Sequence, residues 1–387
     1  MNILFLMKCY AVGGIEVVTA TLASCFARHG HKVVIATFEA PEALTVARTD
    51  DSVKIYTLWD YKCTNQNIVA LRNLLIEHQI QVVINQWGLP LVSCRVLNKA
   101  KKGLKVKTIA VYHNQVDTNA RIKNVEIALE GCVKPLKRSL LKLKKAAFKF
   151  VTSRSMAYVY HHTDIYQVLS PSYIPLFSKF TGINHPNHLM VQTNPVTLES
   201  SDFSYSFDKK EKEIIYMGRI DYNQKRVYRV IDTWAKLEAQ FPDWRLTIVG
   251  DGVERKNVEQ QVADYGLQHV TFEGFQQPKP YYERASILLL TSEYEGFPLV
   301  LAESMSFGVI PVVYNSYSAV GDIINDGENG LVIPYHKDGY RTDEAANLLS
   351  NLMNDAAKRE VMALTAIEKS KEYSVERIYE QWLETLK

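Results

Sequence analysis

The sequence predicts two doubly wound α/β domains joined by one linker. Two observations carry that prediction. Short β-branched and apolar runs alternate with helical patterns along the whole chain, which implies βαβ units and parallel sheets. One polar, Ser-rich stretch near the middle interrupts the rhythm. The length of 387 residues suits two cores.

In the first half, strands are predicted at 2–7, 32–38, 53–58, 82–87, 107–113 and 165–170. Helices are predicted near 15–29, 67–78, 91–100, 134–149 and 153–162. The linker is 196–212, directly after Asn194-Pro195. Strands resume at 213–218, 245–250, 270–275, 286–291, 309–314 and 330–334, and helices close the chain from about 340 to 386. Domains are thus expected at 1–195 and 213–370, with a last helix in 371–387. Ligands of such sheets bind at the carboxyl ends of strands, and with two domains the expected site is a cleft between them.

Composition excludes several classes. Hydrophobic residues are 47% and charged residues 22%, as in an ordinary globular protein. The apolar run Asn2–Met7 is too short for a signal peptide, and no stretch approaches 18 apolar residues. Five cysteines without a CxxC pair support neither a zinc site nor a disulfide framework, so reduced thiols and a cytoplasmic location are expected. The net charge of +3 hides an asymmetry: residues 1–195 hold 24 Lys+Arg against 11 Asp+Glu, leaving 21 against 31 in the rest.

Four clusters carry chemistry. Glu295-Gly-Phe-Pro-Leu-Val-Leu-Ala-Glu303 follows a buried strand and opens a helix. Gly296 lets the chain turn, and Pro298 suits the first helical position. The N–H groups of Leu299 and Val300 then offer an anion site suited to a diphosphate. Glu295 and Glu303 fall on one face, as acceptors for sugar or ribose hydroxyls; by spacing alone, two solvated surface glutamates fit as well. Tyr216-Met-Gly218-Arg219, six residues before Lys225, puts two cations at a strand end, where they can clamp a diphosphate; alone it reads equally as a surface turn. Gly13-Gly14-Ile-Glu16 follows the first strand but lacks the GxGxxG dinucleotide fingerprint. His113-Asn114 ends another strand. No Asp-x-Asp occurs, so the cations and the helix N-terminus are expected to replace a metal.

Taken together the motifs resemble the family-4 glycosyltransferases, over nearly the whole chain and most closely over 213–335. There Tyr216-Met-Gly-Arg219, Lys225, Val249-Gly-Asp-Gly252, Val270-Thr-Phe-Glu-Gly-Phe275, Ser292-Glu-Tyr-Glu295-Gly-Phe297-Pro, Glu303, Pro311-Val-Val and Asn329-Gly-Leu-Val-Ile333 run in order. The resemblance implies the GT-B fold, with the C-terminal helices returning to the first domain. It implies a metal-independent, retaining enzyme needing no cofactor, which moves a hexose-type sugar from a nucleotide sugar to a glycan or lipid-linked acceptor. A UDP-sugar is the first expectation.

Arg219 and Lys225 look like the family's diphosphate pair. Glu303 looks like its ribose ligand and Glu295 like a donor-sugar contact. Gly274 and Phe275 would hold the base, and Gly218, Gly296, Phe297 and Leu299 would line the donor site. Gly13 and Gly14 match its N-terminal glycine loop, and His113 its donor-sugar histidine; Glu16 and Asn114 are expected on the acceptor side. A nucleotide-sugar epimerase or a non-catalytic binding subunit are the rival readings.

One further feature stands apart. Residues 134–149 place Leu136, Leu140, Leu143, Ala147 and Phe150 on one helical stripe, with Lys134, Lys137, Arg138, Lys142, Lys144, Lys145 and Lys149 around it. A basic amphipathic helix of this kind can lie on an anionic membrane, and Lys99, Lys101, Lys102, Lys105 and Lys107 extend the patch. The alternative is a helix whose apolar stripe packs on its own domain.

Overall fold

The computed structural model describes residues 1–11, 13–198 and 203–387. The chain divides into two compact units, Met1–Thr197 with Ser374–Lys387, and Leu198–Tyr373.

Seven strands form the sheet of the first unit: β1 (Asn2–Met7), β2 (Lys32–Thr37), β3 (Lys54–Thr57), β4 (Val82–Asn85), β5 (Lys107–Tyr112), β6 (Ile165–Val168) and β7 (Leu189–Val191). Their order is β3-β2-β1-β4-β5-β6-β7, all parallel. Ile3 pairs with Val33 on one side and Val82 on the other. Such strands are covered on both faces, which is why β1 and β4 read as continuous apolar runs rather than alternating ones. The second unit carries β8 (Glu213–Met217), β9 (Arg245–Val249), β10 (Val270–Gly274), β11 (Ile287–Leu290), β12 (Ile310–Tyr314) and β13 (Leu331–Ile333). Their order is β10-β9-β8-β11-β12-β13, again parallel.

Each sheet reverses its winding beside its first strand, between β1 and β4 and between β8 and β11. The loops leaving the carboxyl ends of these four strands are where an open α/β sheet binds its ligand.

The last helix, Val375–Leu386, belongs to the first unit. It buries Ile378, Tyr379, Trp382 and Leu386, and the Trp382 ring meets Phe26 of the helix Gly14–Arg28 edge-on at 6.2 Å. Lys107 Nζ ties its end by donating to the Thr385 carbonyl (2.7 Å). Burying each large apolar side chain contributes about 2 kcal/mol.

Several expectations change. The helices predicted at 134–149 and 153–162 are one helix, Pro135–His161, because Phe150, Val151 and Thr152 continue the pattern without a breaker. Strand β7 and the helices Ala120–Glu130 and Tyr173–Thr181 were not expected. Of the expected linker, 199–202 lie outside the described residues. The part from Phe203 onward packs into the second unit: the Phe203 ring lies 5.0 Å from Phe307, and Lys210 Nζ donates to the Tyr282 carbonyl (2.7 Å).

The long helix does not bury its apolar stripe. Leu136, Leu140, Leu143 and Phe150 are 87, 66, 68 and 66% exposed, so the stripe does not pack on its own domain. Lys145 instead turns inward, to Glu126 of the neighbouring helix (2.8 Å).

Candidate active site

In the second unit the site grows from the loop after β8. The Gly218 N–H donates to the Val249 carbonyl (2.9 Å), and Tyr216 Oη donates to the Arg219 carbonyl (2.7 Å). Gly250 lies so close that a Cβ there would sit 1.9 Å from the Gly218 oxygen, and its φ of +137° favours glycine as well. Asp221 then closes a turn, its Oδ1 accepting from the N–H groups of Gln224 (2.7 Å) and Lys225 (3.2 Å). That turn aims the Lys225 side chain at the segment after β11, where Nζ meets Glu295 Oε1 at 2.5 Å.

Lys225 and Glu295 are 15 and 9% exposed, whereas Arg219 is 64% exposed. The pair is therefore held inside, and the Arg219 guanidinium reaches out. Arg219 Nε bonds Asp221 Oδ2 (2.8 Å) and Nη2 donates to Gln224 Oε1 (3.1 Å). Gln224 Nε2 in turn donates to Glu295 Oε2 (3.3 Å) and the Tyr294 carbonyl (3.1 Å). One chain of bonds thus joins both predicted cations to Glu295. Their charges are matched at rest by Asp221 and Glu295. An arriving diphosphate is recognised by fixed, aimed donors more than by net charge.

Glu303 is not a solvated surface residue. It is 6% exposed, with Tyr282 Oη donating to its Oε2 at 3.5 Å. Its helix is Leu299–Ser306 with Pro298 as N-cap, so Glu303 lies about one turn in, and Pro298 precedes the first helical position instead of occupying it. Leu299 and Val300, in the first turn, have no preceding carbonyl within the helix for their N–H groups. Gly296 is buried. Phe297 is 6% exposed with its ring on Tyr373 (5.2 Å), so its side chain serves packing and only its backbone is left for a ligand. Gly274 ends β10 with φ +70°, and Phe275 beyond it is 61% exposed.

In the first unit the sites lie after β1, β4 and β5. Gly14 opens the helix Gly14–Arg28 and Gly13 is its N-cap. A Cβ on Gly13 would lie 2.5 Å from Glu16 Oε2, so the glycine makes room for the chain's own carboxylate. A phosphate would be repelled there, while sugar hydroxyls would find an acceptor. Glu16 is 7% exposed, and burial raises its pKa. Cys9 Sγ donates to Glu16 Oε1 (3.6 Å), and burial first, then Glu16, pushes this thiol up to about 11. His113 follows β5, with Nε2 2.6 Å from Gln86 Oε1. Asn114 Oδ1 accepts from the N–H of the next residue, Gln115 (2.8 Å).

Sequence reasoning missed Asp221, Gln224, Arg229, Glu293 and Gln86. An Asp opening a polar turn is a readable signal for Asp221. Arg229 pairs with Glu293 (2.7 Å), and the Glu293 N–H donates to the Gln224 carbonyl (2.7 Å), which fastens the β8 loop to the β11 loop. No local pattern announces a pair that far apart. The five cysteines are free. Among the described residues, no group of three His, Cys, Asp or Glu is placed to hold a metal.

Comparison with known proteins covers both units. The model of "Glycosyltransferase Family 4" matches residues 12–174, and that of "Glycosyl transferases group 1" matches 199–369. The chain is 26% identical, over 100% of its length and 98% of the relative's, to the GalNAc-alpha-(1->4)-GalNAc-alpha-(1->3)-diNAcBac-PP-undecaprenol alpha-1,4-N-acetyl-D-galactosaminyltransferase of Campylobacter jejuni. It is 22% identical to the amylovoran biosynthesis glycosyltransferase AmsD of Erwinia amylovora, over 97% of this chain and 96% of that one. Among solved structures, Anabaena Alr3699/HepE in complex with UDP superposes with a TM-score of 0.76 at 18% identity, covering 100% of this chain and 99% of that one. With the same two-sheet architecture and both halves of the sequence matched, the chain belongs to the family-4 glycosyltransferases, enzymes of the GT-B fold.

Proposed function

We propose that this glycosyltransferase moves a hexose-type sugar from a UDP-sugar to a lipid-linked saccharide, with retention and without a metal, in cell-surface polysaccharide synthesis. The observation that carries the reading is the Lys225–Glu295 pair at the β8/β11 switch point, with Arg219 reaching out beside it. The relatives' names, which cite an undecaprenol-linked saccharide and amylovoran, support the acceptor class. A neighbour solved with UDP supports the nucleotide.

In this reading Glu303 accepts from the ribose, the Gly274–Phe275 turn holds the base, and Glu295 and His113 contact the donor sugar. Arg219, Lys225 and the N–H groups of Leu299 and Val300 hold the diphosphate. The bond from the anomeric carbon to the phosphate oxygen breaks, and its electron pair stays on the diphosphate, where these donors stabilise it. The acceptor hydroxyl forms the new bond on the same face and passes its proton to the departing phosphate oxygen.

The exposed stripe Leu136, Leu140, Leu143 and Phe150, flanked by Lys137, Lys142 and Lys144, supports docking on an anionic membrane that carries the acceptor. Each cation near the surface adds about 1 kcal/mol. Among the described residues, no helix is long and apolar enough to cross a membrane.

The test is a panel of nucleotide sugars, with and without EDTA, read by thermal shift and by NMR of the product. A UDP-sugar should stabilise the protein in EDTA and yield a product of unchanged anomeric configuration. An inverted product, or turnover that EDTA abolishes and Mg²⁺ restores, overturns the reading. Product from donor alone marks an epimerase instead. Liposomes with anionic lipid should carry the protein down at low salt but not at high salt.

A further inference from the structure

Strands β4 and β5 are neighbours, with Asn85 opposite Ala110, so the residues just past their carboxyl ends leave the sheet side by side. Gln86 follows β4, and its side chain is 1% exposed. Its Oε1 lies 2.6 Å from His113 Nε2. A carboxamide oxygen only accepts, so the imidazole must donate from Nε2. A neutral imidazole has one N–H, which leaves the lone pair on Nδ1.

His113 Nδ1 and Gln86 Nε2 are both out of solvent and have no partner among the described residues. Leaving such groups unpaired carries a desolvation cost, which a ligand with matching groups returns. One of these atoms accepts and the other donates. A sugar ring, whose hydroxyls do both, suits them.

We infer that Gln86 is a positioning residue: it fixes His113 with Nδ1 as an acceptor, so the sugar group that meets Nδ1 must bring an O–H or N–H and not a carboxylate. The inference rests on the proposed contact of His113 with the donor sugar. Burial holds the His113 pKa down at about 3, with no charged neighbour contributing, so a second proton does not convert Nδ1 into a donor near neutral pH.

The experiment combines ¹⁵N-histidine NMR of the full chain with kinetics on the UDP-sugar panel, for wild type, His113→Ala, Gln86→Leu and Gln86→Glu. UDP affinity serves as the control for folding. Wild type should show His113 neutral and protonated at Nε2 from pH 6 to 8. Gln86→Leu should lower kcat/KM about tenfold or more, as loss of an orienting partner does elsewhere, with UDP affinity within about twofold. Gln86→Glu should raise the His113 pKa and create a limb in which activity returns as pH rises.

A wild-type imidazole protonated at Nδ1 overturns the inference. So does Gln86→Leu at wild-type kcat/KM while His113→Ala is impaired. Wild-type activity in His113→Ala overturns the donor-sugar contact, and the inference with it.

Discussion

The two units repeat one strand order and put opposite chemistry at the same place. After the first strand of the first sheet, the loop folds the Glu16 carboxylate over Gly13. After the first strand of the second sheet, the loop presents Arg219 and Lys225. Topology supplies the location, a loop at the winding switch beside a helix start. The side chains then decide what can bind: a carboxylate accepts hydroxyls and repels phosphate, while aimed cations do the reverse. The first unit is thereby suited to a saccharide and the second to a nucleotide diphosphate.

The largest expected effect is at Lys225. Lys225→Ala removes a fixed cation and takes the counter-charge from the buried Glu295, so kcat should fall by on the order of 10²-fold or more. Activity within threefold of wild type in steady-state assays would break the comparison at its cationic end. Next is Glu303→Ala, which should weaken UDP binding by about 1–3 kcal/mol, seen by titration calorimetry. Unchanged affinity there would end the ribose assignment.

The smallest effect sharpens the other end. Glu16→Gln should leave UDP affinity within about twofold, because a hydroxyl-binding carboxylate makes no contact with the nucleotide. It should also change how stability depends on pH. Burial raises the Glu16 pKa above its ordinary 4.5, so the folded state holds this proton more tightly than the unfolded one. The stability it contributes is full below about 4.5 and is lost as pH rises through the raised value. The melting temperature of wild type should therefore fall relative to Glu16→Gln between pH 4 and pH 7. Parallel curves would show that the surroundings do not raise the Glu16 pKa.

The second unit was the more legible of the two. Its glycines, cations and glutamates stand at strand ends in the chain, and the apolar runs Ile214-Ile-Tyr and Ile287-Leu-Leu-Leu mark the strands without ambiguity. What supports them was not legible, because Arg229–Glu293 and Gln224–Glu295 join residues some 60 to 70 positions apart. The first unit hid more. Its short strand β7, Leu189–Val191, has too few residues to show a period, and the helix Tyr173–Thr181 carries a proline that argues against it locally. The Glu16 carboxylate over Gly13 is a side-chain placement that a glycine pair in sequence cannot announce. Nor does a lone His113 reveal Gln86, which reaches it only because β4 and β5 are adjacent.

The diphosphate clamp is tested most directly by one titration: UDP into wild type, Arg219→Ala and Lys225→Ala, all in EDTA. Wild type should bind without metal, and each variant should lose about tenfold or more in affinity, as loss of a charge-assisted bond to phosphate requires. Binding that appears only on adding Mg²⁺ or Mn²⁺, or equal affinity in all three proteins, would contradict it.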